Sequence, residues 1–158
     1  MCANKIKIAK KKVDLRRGID HIGVSANAII HDGHGKILLQ KRGPKARDEN
    51  GHWDVTGGAI EFGETIEEAI IREIREELCT KPLEIRFLTV YDAHRIHGDN
   101  KTHWVAITYI VRVDPKTVRI GEPNKVDELA WFSLNKLPSP MHSQFHKTHQ
   151  ALKDLEIF

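Results

Sequence analysis

The stretch from residue 57 to residue 80, GGAIEFGETIEEAIIREIREELCT, constrains this chain more than any other. Ile66, Ile70, Ile74 and Leu78 recur every four residues and draw an apolar stripe down one face of a helix. Thr65 and Glu68 stand in the Thr-x-x-Glu relation of a capping box, and Pro82 marks the exit, so the pattern predicts a helix over 65–78. Glu73, Glu76 and Glu77 are related as i, i+3 and i+4, which places them within an arc of about 100°. Like charges at that spacing destabilise a helix by roughly a few tenths of a kcal/mol per pair, and a bound divalent cation reverses the sign. Glu77 points within about 20° of the Ile66 and Ile70 directions, toward whatever covers the stripe. A carboxylate buried there is costly unless it is paired or bound to metal. The competing reading is a solvated acidic face with Arg72 and Arg75 as partners.

A helix with one apolar face needs a sheet, and the flanking sequence supplies one. Residues 22–30 and 36–40 read as strands, joined by the hairpin chemistry of Asp32-Gly33-His34-Gly35. Residues 41–51 read as a loop and 53–56 as a short extended piece before Gly57-Gly58. Residues 83–90 and 104–113 are β-rich with a polar loop at 94–103 between them, 130–132 is a short strand, and 144–155 is a terminal helix. The class is α/β: a mixed sheet with helices packed on it.

The chain of 158 residues fits one domain, 19–158, behind a basic segment, 1–18. Lys5, Lys7, Lys10, Lys11, Lys12, Arg16 and Arg17 crowd that segment. It has no interleaved aromatics for base stacking, so a solvated arm is favoured over a nucleic-acid contact. No apolar run approaches the length of a membrane span, and the N-terminus lacks a secretory pattern. Cys2 and Cys79 make neither a disulfide framework nor a paired metal motif, which suits a reducing, cytoplasmic setting.

The lead-in to the helix completes a longer motif. Gly58, five residues, Glu64, seven residues, Arg72-Glu73, aliphatic Ile74, Arg75 and Glu76-Glu77 resemble the Nudix box, G-x5-E-x7-R-E-U-x-E-E-x-G-U. Cys79 and Thr80 depart from its final Gly and aliphatic positions, and Thr56 replaces a proline often found before the glycines. Residues 22–137 follow the order of a whole Nudix domain, and the pattern looks closest to the MutT-like, nucleoside-triphosphate branch. The resemblance implies an α/β/α sandwich around a mixed, curved sheet. It also implies a hydrolase that cuts a nucleoside triphosphate, including oxidised or non-standard ones, into monophosphate and pyrophosphate. Mg²⁺ is the implied metal, with Mn²⁺ able to substitute, since the ligands are hard oxygens.

By the same resemblance Glu73, Glu76, Glu77 and the Gly58 backbone bind metal, with Glu122 or Glu128 as distal candidates. Glu73, then Glu77, is the candidate general base, and Glu64 pairs with Arg72 to hold the loop on the helix. Substrate would meet Gly57, Gly58, Arg42 as a phosphate clamp and Trp53 beside the base, although Arg42 also reads as a surface residue and Trp53 as core. His94, His97 and His103 flank a loop placed to close over the site. His142, His146 and His149 have spacings compatible with a transition metal, and for all six a surface histidine is the plainer reading. Four other functions share the pattern: an ADP-ribose or other nucleotide-sugar pyrophosphatase, an RNA-cap hydrolase, a non-catalytic nucleotide-binding module, and an isopentenyl-diphosphate isomerase. The isomerase chemistry needs a cysteine acid that residues 50–64 lack, and a binding module would be expected to lose box carboxylates. Homodimers are common among such domains and the sequence leaves that assembly open.

Overall fold

The computed structural model describes residues 14–154, so most of the basic segment lies outside the described residues. Seven strands and two helices follow in the order β1 (Gly23–His31), β2 (Lys36–Arg42), β3 (Trp53–Asp54), β4 (Thr56–Ala59), α1 (Ile66–Leu78), β5 (Glu84–His97), β6 (Asn100–Arg112), β7 (Val126–Ser133) and α2 (Phe145–Asp154). They form one mixed sheet: β1 runs parallel to β6 and antiparallel to β2 and β4.

Side-chain parity splits the core in two. Ala26, Ala28 and Ile30 of β1 face α1 and its stripe of Ala69, Ile70, Ile74 and Leu78. Ile29 of β1, with Ile37 and Leu39 of β2 and Ile110 of β6, faces Phe145 and Leu152 of α2. Period-two alternation thus serves two helices on opposite faces, which makes the expected α/β/α sandwich.

β1 and β2 stay together only at their hairpin end, where Ile30 pairs with Leu38 and His31 with Ile37. Beyond that they fork. β4 takes over the free side of β1, Ser25 to Ala28, and β3 pairs with Gln40 and Lys41 of β2. The fork opens a window through the sheet, and the functional residues gather around it.

The 94–103 segment differs from expectation. β5 and β6 run on as a continuous antiparallel ribbon, with His94 opposite His103 and His97 opposite Asn100. The segment is polar because the ribbon projects past the helices and exposes much of its surface, so the hydrophobic alternation that marks a half-buried strand is lost. No helix among the described residues is long and apolar enough to cross a membrane.

Candidate active site

The capping box sets the phase of α1. The Thr65 side chain accepts the Glu68 N–H, and the Glu68 carboxylate accepts the Thr65 N–H at 2.8 Å. With the start fixed, Glu77 falls on the buried edge, 8% exposed, and its side chain enters the window. Its Oε2 accepts the Gly57 N–H at 3.1 Å and the Gln40 Nε2–H at 3.2 Å. Among the described residues no cationic side chain bridges it. Burial, reinforced by the charge of Glu73, pushes the Glu77 carboxyl up to about 8.

Glu73 lies directly against Gly58. A Cβ at Gly58 would stand 2.2 Å from the Glu73 Oε1, so only glycine allows this approach. Gly57 has φ 148°, and a Cβ there would meet the Ala26 carbonyl oxygen at 2.5 Å. Burial raises the Glu73 pKa while the Arg72 hydrogen bond works the other way. Glu76, on the outer edge, is half exposed and touches Arg72 Nη1 at 3.3 Å.

Arg72 is the hub. Its Nε and Nη2 grip Glu64 at 2.6 and 3.0 Å, Nη2 also donates to the Ala59 carbonyl at 3.1 Å, and Nη1 donates to Glu73 at 2.6 Å. The Arg72 hydrogen bond holds the Glu64 carboxyl down at about 2. One guanidinium thereby fastens the loop before α1 to the face that carries the glutamates.

Cys79 ends the helix in the left-handed region, φ 53° and ψ 26°, the conformation a C-terminal glycine would take. The chain after β6 returns here and satisfies the last carbonyls: Arg119 N–H donates to Leu78 O at 2.9 Å and Gly121 N–H to Glu77 O at 2.8 Å. Gly121 packs so closely that a Cβ would overlap the Glu76 carbonyl oxygen. That return brings Glu122 near enough for its charge to raise both Glu73 and Glu77, although Lys125 holds Glu122 at 2.8 Å. Glu128 is opposite Lys41 on β7 and lines a separate recess with Val118 and Leu129. Of the two distal candidates, the fold brings only Glu122 toward the cluster.

On the other side of the window is a cleft of about 180 Å³. Gln40, Gly57, Gly58 and Glu77 form its base, and Tyr91, Arg95 and Trp104 of the β5–β6 ribbon form one wall. Gln144, Phe145 and Thr148 at the start of α2 form another. Arg47 lies over the Trp104 ring, 5.0 Å from its centroid.

Three readings that the sequence leaves open are decided by the fold. Trp53 is a core residue, 7% exposed and packed edge-on against Phe132, because the strand parity at β3 turns it under α2; the cleft tryptophan is Trp104. Arg42 does line the cleft, but its guanidinium is engaged by Asp48 (2.7 Å to Oδ1, 2.8 Å to the carbonyl) and by Asp54 (3.1 Å), so it braces the wall where a free clamp was expected. His142, His146 and His149 do not converge, since α2 begins only at Phe145 and His142 belongs to the turn before it. His142 instead joins Arg95, Glu49 and Asp54 in an ion-pair network. Sequence reading had singled out none of Tyr91, Arg95, Trp104 or Gln144. Tyr91 and Arg95, an aromatic and a basic residue in the same phase of one strand, were the available signal.

The NUDIX domain matches residues 21–152. The chain is 37% identical over 134 residues to an ADP-ribose pyrophosphatase from Methanocaldococcus jannaschii, covering 84% of this chain and 75% of that protein. It is 33% identical over 135 residues to putative 8-oxo-dGTP diphosphatase 3 of Mycobacterium tuberculosis, covering 83% of this chain and 60% of that one. The crystal structure of a MutT NUDIX hydrolase from Burkholderia pseudomallei superposes with a TM-score of 0.71 at 36% identity, covering 84% and 97% of the two chains. A cluster of carboxylates on a helix, set against a double glycine and opening onto a cleft, defines a hydrolase of the nucleotide pyrophosphatase type. The chain belongs to the Nudix family, whose hydrolases generally use divalent metal ions.

Proposed function

We propose that this Nudix hydrolase cleaves a nucleoside triphosphate, an oxidised or non-standard one included, to nucleoside monophosphate and pyrophosphate with Mg²⁺. The observation that carries the reading is the uncompensated carboxylate at the window: Glu77 is buried with no cationic partner among the described residues, beside Glu73 and within reach of the Gly57-Gly58 backbone. Such an arrangement is stable only with a proton or a cation in place. The donor set is hard oxygen, so it fits Mg²⁺, with Mn²⁺ as a substitute.

Glu73, Glu76, Glu77 and the Gly58 carbonyl would hold the ion, with Glu122 as an outer contributor. When bound, such an ion would supply charge neutralisation at the phosphates and make an attacking water more acidic. The chain's residues do the rest. Arg72 fixes Glu73 and ties Glu64 and Ala59 to the helix, so the carboxylates keep their places as charge develops. Glu73, pressed against Gly58, orients and deprotonates the attacking water, with Glu77 second in line. The oxygen of that water bonds to phosphorus, the anhydride P–O bond breaks, and pyrophosphate leaves with the electron pair. Trp104 and Tyr91 offer aromatic faces for the base, and Arg47 lies over the Trp104 ring.

A second reading, ADP-ribose or another nucleotide sugar, is favoured by the 37% identity to a protein named for ADP-ribose. Either substrate carries a single nucleobase for the aromatic lining of Tyr91, Trp104 and Phe145, so the products separate the two readings. A nucleotide panel with Mg²⁺ and identified products decides: monophosphate plus pyrophosphate supports the first reading, AMP plus ribose phosphate the second. Turnover unchanged in Glu76→Gln would remove both. A homodimer and a reducing, cytoplasmic setting complete the proposal.

A further inference from the structure

We propose that Asp92, His94 and His103 form a transition-metal site, best matched to Zn²⁺, on the face of the β5–β6 ribbon opposite the nucleotide cleft. His94 and His103 are direct cross-strand partners, and Asp92 is two residues back on the same strand, so all three side chains leave one face. One ligand atom from each lies within 4.8 Å of the others. Asp92 Oδ1 and His103 Nε2 are 2.9 Å apart, and the two imidazoles are 4.2 Å apart between centroids, tilted by 53°. Tetrahedral bonds of 2.0–2.1 Å put neighbouring ligand atoms roughly 3.3 Å apart. Small rotations of the exposed Asp92 and His94 and the half-exposed His103 side chains therefore close the site, while the strand ladder keeps the backbone in place. Two imidazoles and one carboxylate select Zn²⁺ over Mg²⁺, in contrast to the all-oxygen set on α1. His21 stands in the wall of the same recess as His94 and His103 and can supply a fourth donor, as can water. Lys147 donates to the Asp92 backbone carbonyl and lies over the Tyr91 ring, so the neighbouring ammonium already has partners.

The consequence follows from strand alternation. Tyr91, Ala93, Trp104 and Ala106 line the cleft from the other face of the same two strands. An ion bridging β5 and β6 clamps that wall from behind. Ion binding here does not depend on which nucleotide the cleft takes.

The test is calorimetric titration of Zn²⁺ into the full chain with excess Mg²⁺ present to occupy the α1 carboxylates. The unmodified chain binds one more equivalent of Zn²⁺ than the His94→Ala/His103→Ala double variant, and the double variant loses affinity at that equivalent by about 100-fold or more. Asp92→Asn, which keeps both imidazoles, loses about 10-fold. Circular dichroism establishes that the variants are folded. Should the double variant fail to fold, His94→Gln and Asp92→Asn carry the comparison alone. Substituting Co²⁺ adds a visible absorption band that the variants lack. Equal stoichiometry and affinity in the unmodified chain and the variants would overturn the site.

Discussion

On the α1 side of the window, Glu64, Glu73, Glu76, Glu77 and Glu122 face Arg72 and Lys125, and the negative charge is in surplus. On the cleft side, Asp48, Glu49 and Asp54 face Arg42, Arg47, Arg95 and His142, and the charges balance. Each cluster has a buried carboxylate at its centre, Glu77 in one and Asp48 in the other, so burial alone does not separate them. What separates them is compensation. In the balanced cluster Asp48, with a fully buried side chain, meets Arg42 at 2.7 Å and Arg95 at 3.1 Å. Glu49 loses by burial but gains more from the Ser143 hydroxyl and N–H, which pull its pKa below the ordinary value. That cluster ties residues 48–54 to the ribbon and to the turn before α2, so it shapes the cleft. The surplus cluster is left to be completed by an ion.

The difference can be broken from either side. The largest effect is expected from Arg95→Ala, which strips Asp48 and Glu49 of a shared partner inside the protein. Asp48 keeps Arg42 and Glu49 keeps Ser143, so neither acid is orphaned, but losing two charge-assisted contacts at roughly 1.5–3 kcal/mol each costs about 3–5 kcal/mol and lowers Tm by roughly 10 °C. A thermal melt showing a loss under about 2 °C would mean the network is ornamental to the fold. Next comes Glu73→Gln. It removes surplus charge, so Tm holds or rises, while kcat falls by about 10²–10³-fold, some 3–4 kcal/mol of barrier. Chelating the divalent ion in the unmodified protein abolishes turnover and leaves the fold intact. A Glu73→Gln protein that kept its kcat would place the chemistry elsewhere.

Glu77→Gln sharpens the comparison with a sign. The folded pKa of Glu77, about 8, stands above the ordinary 4.5, so the folded chain binds this proton more tightly than the unfolded one. Stability therefore falls as pH rises through the interval between those values, and the penalty is complete above the higher one. Without divalent ion at pH 8.5, the glutamine variant is expected to be more stable by about 1–2 kcal/mol, or 3–6 °C in Tm. Its amide oxygen can still accept from Gly57 and Gln40. With Mg²⁺ the order narrows or inverts, because only the carboxylate gains from the ion. Equal melting points of the two proteins in chelator would show that the buried carboxylate carries no penalty.

The two clusters also differ in how far the sequence exposed them. The surplus cluster sits on consecutive turns of one capped helix, so period, cap and spacing placed Glu73, Glu76, Glu77 and the Glu64–Arg72 pair before any fold was known. The balanced cluster joins Arg42, Asp48, Asp54, Arg95 and His142 from five separate stretches, and only the sheet brings them together. The same limit misassigned the tryptophans. Local sequence placed Trp53 near the glycines, but strand parity decides which face a side chain takes, and parity put Trp104 in the cleft and Trp53 in the core. Both helices, the first hairpin and a mixed sheet were legible from local pattern and turn chemistry, whereas the sandwich was implied by the resemblance to the Nudix family. The 94–103 ribbon was not, because a strand pair exposed to water carries no apolar alternation to read.

The smallest expected effect tests the one place where the legible region departs from its motif. Cys79 stands where the Nudix pattern has glycine, yet its backbone takes the left-handed conformation that glycine favours, φ 53°. A side chain in that region costs roughly 1 kcal/mol or more, which Cys79→Gly recovers. Glycine also widens the unfolded ensemble, which offsets about 0.4–1 kcal/mol. The net is a stabilisation of at most about 0.5 kcal/mol, or 1–2 °C in Tm, with kcat unchanged because Arg119 and Gly121 still cap the carbonyls of Leu78 and Glu77. A drop in Tm would show that the Cys79 thiol, which packs toward Gly121, holds the returning segment against the helix end. A drop in kcat would show that the same contact sets the position of Glu122 beside Glu73 and Glu77, and the surplus cluster would then extend beyond its helix.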